Sequence, residues 1–145
     1  MNVAFFGLII NFALTMAMVP FGLNVLFHKS PDTILLYMFL FYVTTSTGIF
    51  CGSVLRSVVG VCCGIFFRII LLVTFVLLSS DILAYPLILA IGFSLWNFLF
   101  GGLTSGLFNI MYSSGHKLNH VVGILCISIG ISLGFLISLI IYNSL

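Results

Sequence analysis

Two guanidinium groups stand out in a chain that is otherwise almost uncharged. Arg56 and Arg68 lie in the stretch TTSTGIFCGSVLRSVVGVCCGIFFR, Thr44 to Arg68, which holds no acid. An arginine at bilayer depth is expensive on every scale and is found facing a protein interior or a watered cavity. What it does there is donate hydrogen bonds, to gating carbonyls or to a polar solute. Thr47 in the hydroxyl cluster Thr44–Thr47, with Asn97 and Ser105 further on, would add neutral polar groups to such a path. That set recognises; it does not make or break bonds. Acyl or phosphoryl transfer needs carboxylates, a histidine beside a nucleophile, or metal ligands. The acids Asp32 and Asp81 sit beside apparent turns, and His28, His116 and His120 fall in polar breaks. His116 and His120 are spaced i, i+4, as two ligands on a helix would be, but a solvated loop is the commoner setting. The residues therefore point away from an enzyme, a metal site or a cofactor.

Composition sets the medium. Of 145 residues, 63% are hydrophobic and 4% charged, with a mean hydropathy of +1.43. A soluble domain is about a quarter charged, so the lipid bilayer is this chain's solvent. A net charge of +2 drawn from so few ionic side chains gives no nucleic-acid face. The cysteines Cys51, Cys62, Cys63 and Cys126 lie in or near apolar runs. They read as small buried apolar residues rather than a secreted disulfide framework. The Cys62-Cys63 pair, if near a cytoplasmic surface, is a palmitoylation candidate.

The elements that must position the arginines follow from the apolar runs. Five spans are predicted, near residues 3–27, 33–55, 57–78, 82–112 and 121–142, each long enough for a helix that crosses the bilayer. The N-terminal run has no basic region or cleavage site before or after it and reads as a true span rather than a signal peptide. The fold class is thus an all-α polytopic transmembrane bundle in one domain. Asn11 and Thr15 share a helical face and form an inter-helix hydrogen-bonding edge. Small-xxx-small spacings recur at Gly48/Gly52, Gly60/Gly64, Gly102/Gly106 and Gly130/Gly134. On a helix each pair shares a face and lets a neighbouring backbone approach closely. The fourth run exceeds one straight span, so it is either tilted or broken near Gly101-Gly102. The depth of Arg68 depends on where the third helix begins. A start near Ser57 buries it; a start near Gly64 lets it snorkel to the headgroups. Counting Lys and Arg in loops favours the N-terminus inside and the C-terminus outside, with Arg56 and Lys117 cytoplasmic and Lys29 external.

The order of features resembles the C-terminal part of the equilibrative nucleoside transporter family. That family's seventh helix carries a Phe-Pro setting, to which NFALTMAMVPFGLNV with Pro20 is similar. Its eighth helix ends in an Asn-Ile-Phe-Asp-x-x-Gly-Arg type of pattern, resembled by TGIFCGSVLR with Gly48, Ile49 and Phe50 in register and Arg56 one residue late. An Ala-Arg-Leu type of opening in the ninth helix looks like FFRIILLVTFVLL, placing Arg68 at the arginine. FGGLTSG, with Gly101, Leu103 and Ser105, is similar to the tenth helix's Asn-Gly-Tyr-Leu-x-Ser. Lys117, Gly130 and Gly134 fit the loop and last helix. Two family residues are changed: the acid of the eighth helix is Cys51 here, and the asparagine before the glycine of the tenth is Phe100.

The resemblance implies a transporter-half-like bundle that supplies one wall of a path for a nucleoside or nucleobase. The partner would be a complementary N-terminal half, and the mechanism alternating access. The different expectation from the glycine faces is a non-transporting accessory protein, or a small homo-oligomeric pore.

Overall fold

Proline opens two of the helices, at Pro31 and Pro86, where its missing N–H is no loss and its fixed φ suits the first turn. Serine opens another: Ser57 Oγ accepts from the Gly60 N–H at 3.3 Å, the usual N-cap bond. In the computed structural model, which describes residues 2–27, 31–77, 86–113 and 119–144, the described residues form five helices. They are α1 (Asn2–Phe27), α2 (Pro31–Gly52), α3 (Val58–Leu77), α4 (Pro86–Tyr112) and α5 (Asn119–Ser144). Among the described residues four, α2 to α5, are long and apolar enough by length and composition to cross a membrane.

The second apolar run and its helix part company, and the fourth run resolves to one of its two alternatives. The second run continues to Leu55, but α2 stops at Gly52. Ser53 N–H turns back to Ile49 and Phe50, Ser53 Oγ donates to the Phe50 carbonyl at 2.6 Å, and Leu55 N–H closes a turn onto Gly52. Arg56 is left exposed in that turn. In the fourth run, α4 passes unbroken through Gly101 and Gly102. The capping signal at Ser79–Asp81 lies outside the described residues, as do His28, Lys29, His116 and Lys117.

Helix α1 is the centre. It packs on α5, α4 and α3, while α2 packs chiefly on α4. Two apolar clusters hold α1, α3 and α4 together. One contains Leu14, Met18, Phe75 and Trp96, with Tyr37 from α2. The other contains Leu8, Val61, Leu103, Leu107 and Met111, with Cys126 from α5. Between them lies a thin polar layer.

Two seams are made by backbone contact. Along α2 and α4, a Cβ on Gly48 would overlap the Phe98 carbonyl oxygen, one on Gly52 that of Gly102, and one on Gly101 that of Thr45. Along α1 and α5, a Cβ on Gly134 would fall 2.5 Å from the Ala13 carbonyl oxygen, and one on Gly130 2.6 Å from that of Ile9. The other glycines do different work. Gly64 and Gly106 receive the side chains of Leu103 and Leu55, and Gly60 meets only Leu55 and Ser57 from its own N-terminal turn. Sequence spacing alone treats these pairs as equivalent; the packing separates backbone clamps from side-chain sockets. Gly101, which the spacing rule passes over, is a clamp.

Candidate functional site: a buried arginine clasp

Helix α3 begins at Val58, so Arg68 lies ten residues in, about 15 Å at the helical rise. Its side chain is 0% exposed and does not snorkel. The guanidinium instead reaches across to α1. Nη1 donates to the Asn11 backbone carbonyl at 3.0 Å and, very closely, to Asn11 Oδ1. Nη2 donates to Thr15 Oγ1 at 2.9 Å. Asn11 and Thr15 are four apart on α1, so one helical face presents both acceptors to one planar fork.

The clasp continues into α4. Asn11 Nδ2 donates to Thr104 Oγ1 at 3.0 Å, and Thr104 Oγ1 donates back to the Phe100 carbonyl at 2.7 Å. The charge is also covered by rings: Arg68 Cζ lies 4.2 Å from the Trp96 ring centroid and 5.5 Å from that of Phe100, within cation–π range. Arg68 thus joins α1, α3 and α4 at the level of the polar layer.

Among the described residues the clasp has no counter-ion. No ion pair forms among the described residues, and every recorded acceptor for Arg68 is neutral. Its Nε is buried without a hydrogen-bond partner. A buried guanidinium is costly to desolvate, and three neutral oxygens and two aromatic faces offset only part of that cost.

The other sequence candidates are not gathered here. Arg56 is exposed in the turn between α2 and α3. Thr47 is exposed on α2 and donates to the Val43 carbonyl of its own helix at 2.8 Å. Asn97 is 2% exposed and donates to the Phe93 carbonyl, also within its helix. Ser105 is half-buried on α4. Three of the four cysteines, Cys51, Cys62 and Cys63, are exposed, and only Cys126 is buried. The expectation that all are buried fails because α2 and α3 turn those faces outward, where lipid accepts an apolar thiol as readily as a core does. Among the described residues no cluster of His, Cys, Asp or Glu could hold a metal; His120 stands instead beside the Tyr112 hydroxyl at 3.2 Å.

Sequence reasoning found the Asn11–Thr15 edge but not its partner, and it passed over Thr104 and Trp96. Asn109 also gains a role. Its Nδ2 donates to the Ser53 carbonyl at 2.7 Å, just past the end of α2, and, weakly, to the Gly52 carbonyl at 3.4 Å, which also accepts from the Leu55 N–H. Asn109→Leu should cost about 1–2 kcal/mol of bundle stability, read as a lower midpoint of thermal unfolding in detergent. An unchanged midpoint would remove this role.

Comparison of the chain with protein-family models, with curated proteins and with solved structures gives no match.

Proposed function

We propose that the chain is one helical bundle of a facilitative carrier, of the nucleoside or nucleobase type that its sequence resembles, working by alternating access. The observation that carries this reading is the clasp. A cation whose acceptors among the described residues are all neutral joins α1, α3 and α4 at depth, while glycine clamps join α2 to α4 and α5 to α1. A bundle bound in this way moves as one body, which rocking transport requires. In this reading Arg68 and Asn97 are positioning residues inside the wall. The solute passes outside it, along a face carrying Thr47 and covered by a complementary N-terminal half. Arg56, in the turn, is a donor at the path's end or a topological anchor.

The test is uptake of labelled nucleoside in cells lacking their own carrier, with the chain alone and with a complementary N-terminal half. Uptake in the paired format, abolished by Arg68→Met in a variant that still reaches the membrane, is the expected result. No uptake in either format removes the transport claim for this polypeptide.

One observation favours a second reading, a non-transporting accessory protein: the polar layer is closed on itself, and Thr47 Oγ1 is bonded back to its own helix. That reading expects a defined hetero-complex or homo-oligomer in mild detergent and no uptake. A monodisperse monomer counts against it.

A further inference from the structure

Folding makes the four cysteines unlike one another. Cys126 is buried, in the apolar cluster with Leu8 and Leu107. Cys51, Cys62 and Cys63 are exposed, and the fold collects all three at one end of the bundle. Cys51 stands one residue before α2 stops at Gly52. Cys62 and Cys63 stand four and five residues past the start of α3 at Val58, about 6–8 Å along the axis. A short turn joins the two helix ends, with the Ser53 and Leu55 amides folded back onto α2. The thiols therefore lie where headgroups give way to hydrocarbon. Their surroundings on α3 open to lipid, since Val59 and Phe66 are 72% and 65% exposed.

The charges give this end a side. Arg56 is exposed in the turn between the thiols, and no acid occurs from Thr33 to Ser80. Helices α2 and α4 run parallel, because Gly48 faces Phe98 and Gly52 faces Gly102. The end of α4 thus returns to the same level, and Lys117 follows it in the sequence. Asp32 belongs to the opposite end of α2. Two cations and no acid favour the cytoplasmic side for the thiol end, where thiols stay reduced.

We propose that Cys51, Cys62 and Cys63 form an S-acylation site whose donor is a long-chain acyl-CoA. Interfacial cysteines on the cytoplasmic side are the usual acceptors. The donor's chain partitions into the bilayer and its thioester stays at the surface, level with these three sulfurs. The cysteine Sγ attacks the thioester carbonyl carbon, the bond to the CoA sulfur breaks, and the thiol proton leaves with it as CoA–SH. One thioester replaces another, so no oxidant or reductant is required. The proposal does not rest on the transport reading.

The experiment is metabolic labelling with an alkyne-bearing palmitate of the full chain in cultured mammalian cells, read on protein recovered from the membrane fraction. Label that hydroxylamine releases is the expected result. The triple variant Cys51→Ser, Cys62→Ser, Cys63→Ser should lose it to background, and Cys126→Ser alone should keep it. Two additions to the triple variant test depth. Val59→Cys, one residue past the start of α3, should restore label. Ile70→Cys, also exposed but twelve residues past that start, should not, because the thioester of a surface donor does not reach mid-bilayer. An unlabelled native chain overturns the proposal. So does label that survives in the triple variant, or equal label on Val59→Cys and Ile70→Cys.

Discussion

Asn11→Leu should lower bundle stability by about 3 kcal/mol, the cost typical of breaking a buried ionic contact on one side only. The substitution removes the Oδ1 that Arg68 Nη1 grips and the amide that reaches Thr104. It leaves the guanidinium in place, 0% exposed, with Nε already unpartnered. A neutral bond between membrane helices is worth much less, about 0.6 kcal/mol on average. Thr104→Val, which breaks only such a bond, should therefore be nearly silent. The double variant Asn11→Leu with Arg68→Met should recover most of the loss, because an apolar pair of similar volume replaces a charge that has no counter-ion among the described residues. Unfolding can be followed by the fluorescence of Trp96, the only tryptophan, which lies against the guanidinium. A double variant as unstable as Asn11→Leu alone would mean that Arg68 stabilises the bundle by itself. The clasp would then be ordinary structure rather than a charge kept for function.

Gly48→Ala should cost about 3 kcal/mol, at the upper end for an overpacked site. The obstacle is the Phe98 carbonyl oxygen, with the Gly102 amide nitrogen 3.0 Å from the same Cβ. Backbone atoms in a continuous helix cannot step aside, so α2 and α4 must separate along the seam that also contains Gly52 and Gly101. Gly60→Ala makes the contrast. Its nearest neighbour is Leu55 Cδ1 at 3.2 Å, the end of a flexible side chain. Helix propensity there favours alanine by roughly 0.5–1 kcal/mol, so the variant should be neutral to slightly stabilised. Thermal unfolding of the two variants in the same detergent checks the pair. Equal effects would show that glycine spacing, not what each glycine touches, sets the packing.

These two variants also mark how far the sequence could be read. A Gly-x-x-x-Gly spacing says that two glycines share a helical face, because the helical period is local. It does not say what that face meets. Gly48 and Gly60 look alike in the chain and differ in the bundle. Arg68 illustrates the same limit. Its chemistry made it conspicuous, but its depth stayed open between a helix start near Ser57 and one near Gly64, and the start at Val58 places it deep. Its partners Asn11 and Thr15 were visible only as a polar edge, since nothing within reach along the chain joins them to α3.

The all-helical class, an apolarity that suits a membrane and the approximate helix ranges were legible in the sequence itself, because hydropathy over a window is a property of neighbouring residues. Only the tertiary structure decided that α1 is central, that the buried cation is held by neutral oxygens between two apolar clusters, and that Arg56 stays outside. Those outcomes depend on contacts between residues dozens of positions apart, and in lipid it is close fit and hydrogen bonding, not apolarity, that choose which helices meet.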